Sequence, residues 1–261
     1  MTPTALTIAG SDPSGGAGLQ ADLKTFHQHG VYGMAVVSLV TVQNTQAVTR
    51  VDVLAPDLVA QQVDAVLADI PPGAVKAGAL GSAAVIEVVA ERGKTLRCPL
   101  VVDPVMVSKH GHALLAADAV HALTSKLLPV TTLLTPNTEE AAALLGVPVK
   151  TLAQAREAAR RIADLGPKAV LVKGGHLEGD AVDVLLHAGQ VHEVPAPRIA
   201  TRHTHGTGCT YSAAITAWLA KGVALPDAVT RAKAWLTEAI RTPPLVGQGV
   251  GPVNHLAPLP R

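Results

Sequence analysis

Thr132-Leu133-Leu134-Thr135-Pro136-Asn137-Thr138-Glu139-Glu140 and, further along, Ala169-Val170-Leu171-Val172-Lys173-Gly174-Gly175 decide the fold between them. Each is a short apolar run halted by polar or glycine-rich residues. What lies between them is helical: a cap-like Thr-Glu-Glu start opens residues 138–145, and apolar positions recur at helical spacing over 151–165. Two short apolar strands joined by a helical crossover read as a parallel pair covered on both faces. The alternation continues outward in both directions. Towards the N-terminus the spacing predicts strands at 4–9, 34–42, 75–79 and 100–102, with helices at 18–29, 57–68, 83–91 and 117–128. Towards the C-terminus it predicts a hairpin of strands 182–186 and 191–194 around Ala188-Gly189, then helices at 208–220 and 226–240. This is an α/β fold with a mainly parallel central sheet and helices on both faces. No linker or shift of composition divides it, so residues 1–261 are expected to form a single domain.

Composition narrows the function. The chain has 261 residues, 48% hydrophobic and 16% charged, and a formal charge of +1. A charge so near zero gives no footprint for nucleic acid or an anionic lipid surface, and with 2% aromatic residues a base-stacking platform is not expected. The mean hydropathy is positive, yet no apolar run approaches the ~20 residues a membrane span requires. Two cysteines, Cys98 and Cys209, are too few for a disulfide scaffold. The opening Met1-Thr2-Pro3-Thr4-Ala5 has neither a basic nor an apolar leader segment, and the expected location is the cytoplasm.

In sheets of this kind ligands sit beyond the carboxyl ends of the strands. Five places there carry polar or glycine-rich residues: 10–18, Gln43-Asn44, Asp103, 137–140 and Lys173-Gly174-Gly175; a sixth, His205-Gly206-Thr207-Gly208-Cys209, opens a helix. The last precedes an apolar helix. Small residues that bring backbone N–H groups to a helix N-terminus make an anion cradle, although glycines can also simply turn the chain into a helix. Cys209 in the first helical turn is expected to have a lowered thiol pKa, unless it is a buried structural cysteine. Asp103, Asn137 and Glu140 could converge on a hydrated magnesium ion, and each could equally be a turn or cap residue. Lys173 could meet phosphates or solvent.

Two nucleotide motifs are excluded. Gly16-x-Gly18-x-x-Ala21 starts too far from its strand and has no acidic residue about 20 positions on for a dinucleotide site, and no Gly-Lys-Ser/Thr P-loop occurs. Of three His-x-His pairs, His27/His29 would diverge on a helix, and His110/His112 and His203/His205 lack an evident third ligand, so structural zinc is not expected.

Ala9-Gly10-Ser11-Asp12-Pro13-Ser14-Gly15-Gly16-Ala17-Gly18 with Gln20-Ala21-Asp22-Leu23-Lys24-Thr25 strongly resembles the opening of hydroxymethylpyrimidine/phosphomethylpyrimidine kinases. The resemblance continues in order through Val101-Val102-Asp103-Pro104-Val105-Met106, Leu134-Thr135-Pro136-Asn137-Thr138-Glu139-Glu140-Ala141, Val172-Lys173-Gly174-Gly175-His176 and Thr204-His205-Gly206-Thr207-Gly208-Cys209-Thr210. It spans about Leu6 to His255. It implies a ribokinase-like three-layer fold, a homodimer, and two successive phosphorylations of 4-amino-5-hydroxymethyl-2-methylpyrimidine by ATP with Mg²⁺ in thiamine biosynthesis. It also implies roles. Gln43 would read the pyrimidine, with Asp22 as a second polar contact and Ala17, Ala79 and Val105 beside the ring. Gly206, Thr207, Gly208 and Cys209 would form the catalytic anion hole, with Cys209 where most ribokinase relatives keep an aspartate. Lys173, Asn137 and Thr204 would meet ATP, and Asp103 and Glu140 the metal. The physics of the residues agrees: a glutamine amide offers a donor and an acceptor to the complementary edge of a 4-aminopyrimidine. Phosphoryl transfer needs chiefly positioning and charge neutralisation. Residues 107–112, small and polar, are the expected flap.

One departure bears on the substrate. The family usually shows Lys-x-Gly-Met-Leu where this chain has Lys76-Ala77-Gly78-Ala79-Leu80, which makes a roomier ring pocket. Relatives with the same Gly-x-Gly-Cys segment phosphorylate pyridoxine, pyridoxal or pyridoxamine, so a vitamin B6 kinase is the alternative enzyme. A vitamin- or nucleotide-binding regulator is the non-catalytic alternative.

Overall fold

The computed structural model describes residues 2–106, 117–175 and 177–259. The expected flap at 107–112, and with it His110 and His112, lies outside the described residues.

Nine strands form one sheet: β1 Thr4–Ser11, β2 Tyr32–Gln43, β3 Val48–Val53, β4 Ala74–Ala77, β5 Leu100–Val102, β6 Leu133–Leu134, β7 Ala169–Val172, β8 Asp183–His187 and β9 Gln190–Val194. Their order is β3-β2-β1-β4-β5-β6-β7-β8-β9. Pairs from β2 to β7 are parallel, while β3, β8 and β9 add antiparallel ribbons at the two edges. The helices are α1 Gly18–Gln28, α2 Pro56–Asp69, α3 Ala83–Gly93, α4 Ala117–Ala122, α5 Thr138–Leu145, α6 Leu152–Ala163, α7 Thr207–Ala220 and α8 Leu225–Arg241.

Strand alternation sorts the core into two layers. Leu6, Ile8, Leu100, Val102, Val170 and Val172 point to one face and pack with Val59 and Val63 of α2, Val85 and Ile86 of α3, and Ile162 of α6. Val101, Leu133 and Leu171 point to the other and pack with Ile215 of α7 and Val229 and Trp235 of α8, while Ala5 meets Phe26 of α1. Each such leucine or valine contributes about 1.5–3 kcal/mol by leaving water. The short, wholly apolar central strands follow from this double coverage. Among the described residues, no helix is long and apolar enough to cross a membrane.

The hairpin forms around Ala188 and Gly189, both at positive φ (50° and 76°), the geometry of a tight two-residue turn. One strand was not anticipated and two local expectations are corrected. Val48–Val53 is an edge strand, in which Thr49, Arg50 and Asp52 interrupt the valines; its partner β2 supplies the hydrogen bonds. The helix expected over 117–128 is α4 followed by a π turn at Leu123–Leu127 and a 3₁₀ turn at Leu128–Val130, a change of winding that buries Leu123, Leu127 and Leu128 together. The cap of α5 is Asn137, not Thr138: its side chain accepts the Glu139 and Glu140 N–H groups at 2.8 Å each, and Glu140 Oε2 accepts the Asn137 N–H at 2.7 Å.

Candidate active site

The polar ends of the central strands open on a cavity of about 600 Å³. Asp103, Val105 and Met106 follow β5, Asn137 and Glu140 open α5, Lys173 ends β7, and Thr204 to Cys209 form the approach to α7; all of them line it. Sequence reasoning anticipated Asp103, Asn137, Glu140 and Lys173 because each follows an apolar run, and 205–209 because it opens an apolar helix; Met106 was not anticipated.

Gly206 makes the approach possible. Its φ is +76°, and a Cβ there would lie 1.8 Å from the Gly16 carbonyl oxygen, so only glycine fits. The turn starts α7 at Thr207, one residue earlier than expected. A Cβ on Gly208 would stand 3.3 Å from Lys173 Nζ and 3.5 Å from Asp103 Oδ2, which puts the first turn of α7 directly on the charged groups.

Those charges are tightly paired. Lys173 Nζ donates to Asp103 Oδ1 at 2.8 Å and lies 4.0 Å from Glu140 Oε2. Thr135 Oγ1 and Ser212 Oγ donate to the same aspartate, each at 3.3 Å. Burial alone would raise the Asp103 pKa, but the ammonium groups of Lys173 and Lys76 outweigh it and hold the carboxyl below its usual range. Glu140 goes the other way: burial, helped by the Asp103 charge and opposed by Lys173, raises it to about 7. Lys173 is desolvated, yet Asp103 and Glu140 keep it firmly protonated.

Cys209 is corrected. Its sulfur is placed at two helix N-termini, its own and that of α1, whose Gly18 N–H reaches it. Burial nevertheless dominates, and with Asp22 and Asp103 it pushes the thiol up to about 11 against the pull of Lys76 and Gly18. The helix dipole is outweighed by desolvation, so the resting group is a neutral thiol.

Asp22, read from the resemblance as a second polar contact, lies inside the protein. It is fully buried, with Thr7 Oγ1 donating to Oδ2 at 2.6 Å and Lys76 Nζ donating to Oδ1 at 2.5 Å. Lys76 is itself fully buried, facing Thr7 across the β1–β4 register. Gln43, Ala17 and Ala79 do not line the 600 Å³ cavity either. Gln43 ends β2 beside it, its amide Nε2 lying 3.3 Å from Nε2 of the cavity-lining His205. Ala17 donates its N–H to Asp12 Oδ2 at 2.8 Å, and half-buried Ala79 accepts the Ser38 hydroxyl at its carbonyl at 2.6 Å.

Four side chains escaped the sequence reading: Lys76, Ser212, Asp183 and Lys233. At the far end of the cavity Lys233 Nζ donates to Asp183 Oδ2 at 2.7 Å, and the Gly174 N–H donates to Asp183 Oδ1 at 2.8 Å. The signal was available for two of them. An ionisable residue inside an apolar strand, as in Val75-Lys76-Ala77 or Val182-Asp183-Val184, must find a buried partner. Among the described residues no group of three or more His, Cys, Asp or Glu side chains is placed so as to hold a metal ion. His27 and His29 diverge as expected, His29 being buried against Trp218 and Trp235.

Comparison with known proteins covers nearly the whole chain. The profile of the family described as phosphomethylpyrimidine kinase matches residues 12–254. A hydroxymethylpyrimidine/phosphomethylpyrimidine kinase of Synechococcus elongatus is 49% identical, over 98% of both chains. A crystal structure of phosphomethylpyrimidine kinase from Clostridium difficile superposes with a TM-score of 0.80 at 43% identity, over 91% of this chain and 99% of that one. An ADP complex of pyridoxal kinase from Bacillus subtilis superposes with a TM-score of 0.90 at 38% identity, over 98% of both.

Proposed function

Because the chain belongs to the phosphomethylpyrimidine kinase family, we propose that the cavity beyond β5–β7 is its phosphoryl-transfer site, run by residues 1–261 as one kinase domain. The reaction is that of the family: phosphorylation of 4-amino-5-hydroxymethyl-2-methylpyrimidine, then of its monophosphate, in thiamine biosynthesis. The observation that carries the assignment is the first turn of α7 seated against the Lys173–Asp103 pair, where a transferring phosphoryl group meets backbone donors and an ammonium together.

ATP is the donor in this reading, supported by the ADP bound to the Bacillus subtilis neighbour. Lys173, Asn137 and Thr204 face its phosphates, and the Asp183–Lys233 pair anchors the far end of the cavity. Two carboxylates on one wall, with no third ligand gathered beside them among the described residues, suit a hydrated Mg²⁺ rather than a caged ion. Asp103 and Glu140 would hold it, and it would supply neutralisation of phosphate charge. Lys173 stays charged throughout and draws the γ-phosphate in. The amides of Gly208 and Cys209 receive the charge on the phosphoryl oxygens, and Cys209 shapes that hole as a neutral thiol. The transition state of phosphoryl transfer is loose, so positioning and charge carry most of the acceleration. Gln43, beside His205, reads the pyrimidine edge, with Ala17, Ala79 and Val105 near the ring; Asp22 acts through Lys76. A second copy covers the exposed Val40, Val42 and Val53 of the β2–β3 edge in the homodimer.

Ala79 and the likeness to a pyridoxal kinase favour a side activity on vitamin B6. Steady-state rates with both heterocycles test the assignment. Pyrimidine turnover well above that of pyridoxal is expected, and binding without turnover of either would remove the kinase reading.

A further inference from the structure

Three side chains from distant segments meet beyond β2: Asp12, His205 and Gln43. Asp12 is surrounded by donors. Its Oδ1 accepts the Ser14 N–H at 2.9 Å and the Ser14 hydroxyl at 2.7 Å, and its Oδ2 accepts the N–H groups of Ala17 at 2.8 Å and Gly16 at 3.2 Å. A carboxyl so placed has no proton to give. Burial would raise its pKa, but the hydrogen bonds from His205 and Ser14 prevail and bring it to about 2. His205 Nε2, 2.7 Å from Oδ2, must therefore carry the hydrogen and donate it.

This fixes what can stand on the other side of that nitrogen. One end of the Gln43 amide is 3.3 Å from His205 Nε2, and its other end is 3.2 Å from Thr41 Oγ1. The Thr41 hydroxyl has one hydrogen and reaches the Ser11 carbonyl oxygen at 3.0 Å. What it offers Gln43 is a lone pair. With Nε2 towards His205 and Oε1 towards Thr41, an N–H would face an N–H and a carbonyl would face a lone pair. A half-turn about Cγ–Cδ puts the carbonyl beside the His205 Nε2–H, whose single hydrogen stays chiefly with Asp12, and turns the NH₂ to the Thr41 lone pair, so that the N–H···N–H clash is removed on one side and a hydrogen bond is made on the other.

We infer that Asp12, through His205, together with Thr41, locks the Gln43 amide with its carbonyl towards His205 and its NH₂ towards Thr41, and thereby sets selectivity for a 4-aminopyrimidine over a 4-oxopyrimidine. The inference rests on Gln43 reading the ring. An aminopyrimidine presents an exocyclic donor beside a ring-nitrogen acceptor, and the oxo ring presents an exocyclic acceptor beside a ring N–H donor. A freely turning amide satisfies either order by flipping. A locked amide satisfies one, and the wrong ring leaves polar groups unpaired in the site. Discrimination then belongs to Asp12, His205 and Thr41 as positioning residues, and Gln43 alone would not supply it.

The test compares kcat/KM for 4-amino-5-hydroxymethyl-2-methylpyrimidine and its 4-oxo analogue in the wild type, Asp12→Asn, Thr41→Val and Gln43→Ala. Wild type is expected to prefer the amino ring by roughly 10²-fold or more. Asp12→Asn removes the carboxylate that holds the hydrogen on Nε2, and Thr41→Val deletes the lone pair. Each should cut the preference at least about tenfold, chiefly by gaining activity on the oxo ring, with KM for ATP unchanged. Damage to folding would not create that gain. A preference unchanged in Thr41→Val, or in a folded Asp12→Asn, overturns the lock. Gln43→Ala separates this from failure of the underlying reading: if it leaves amino-ring kcat/KM intact, Gln43 does not read the ring at all.

Discussion

Cys209→Ala asks whether the thiol serves as a base when the substrate is the alcohol. With its pKa at about 11, the thiol is ionised in roughly one molecule in 10⁴ at pH 7, and at 1.36 kcal/mol per pKa unit that costs about 5 kcal/mol. General-base catalysis contributes about 10²–10⁴-fold, or roughly 3–5 kcal/mol, so the two nearly cancel and a thiolate base brings no net gain. The monophosphate, whose acceptor oxygen is already ionised near neutrality, never needs a base. Losses on the two steps should therefore agree within about threefold, since both use the same anion hole. Had the thiol pKa been lowered, as the helix N-terminus by itself suggests, the alcohol step would have suffered selectively and Cys209→Asp would have restored it. Single-turnover rates on the alcohol and the monophosphate, for wild type and Cys209→Ala between pH 6.5 and 9, make the comparison. A thiolate base would also make the wild-type alcohol step climb about tenfold per pH unit up to pH 9, whereas a profile that levels off once Glu140, at about 7, is ionised is expected. An alcohol-step loss more than tenfold larger than the monophosphate loss, together with that climb, would refute the reasoning.

Lys76→Met strands Asp22 as an unpaired buried charge and should lower stability by about 3–5 kcal/mol in thermal or urea unfolding, with Asp22→Asn added to it recovering most of the loss. Equal midpoints for the single and double variants would show that the pair is not the cause. His29, buried between Trp218 and Trp235, has its pKa held down at about 4 by burial, with the Thr25 carbonyl opposing and Lys221 assisting. The folded state thus disfavours its protonation: its contribution is complete above about pH 6.5 and falls by up to about 1.4 kcal/mol per pH unit as pH drops from there to about 4. Urea midpoints at pH 7, 6 and 5 should fall more steeply for wild type than for His29→Leu; parallel curves would exonerate the histidine. Ala79→Met should shift the kcat/KM ratio of pyrimidine over pyridoxine upward, as a thioether fills space beside the ring, and an unmoved ratio would take Ala79 out of the pocket.

The strands and glycines of the site were legible because they are written locally. Val101-Val102-Asp103-Pro104 and Leu171-Val172-Lys173-Gly174 each announce a buried strand and the polar residue that ends it, and the parallel arrangement then aligns those ends. Val48–Val53 was not read because an edge strand takes its hydrogen bonds from a neighbour and its three valines are broken up by Thr49, Arg50 and Asp52. The same holds for electrostatics. The position of Cys209 in a helix could be read, but the burial that governs its thiol, and the charges of Asp22, Asp103 and Lys76 that act on it, belong to the packing of other elements around it. Pairings such as Asp12 with His205 or Asp183 with Lys233 join positions far apart in the chain, and periodicity carries no information about them.

The fit of Gly206 against Gly16 also belongs among the contacts that form last as the molecule is built. Asp12 and His205 are 193 residues apart, and Gln43 and His205 162, so the site closes only after nearly the whole chain is available. Contacts of such long range form late, because loop closure must come first. During synthesis the β1–β7 framework can collapse while the first turn of α7 is still inside the ribosome. A nascent chain at that stage has Lys173 and Asp103 but none of the amides that receive the phosphoryl group, and cannot transfer it. Recovery of activity on refolding accordingly reports the last long-range closure, and lags signals that follow the sheet alone.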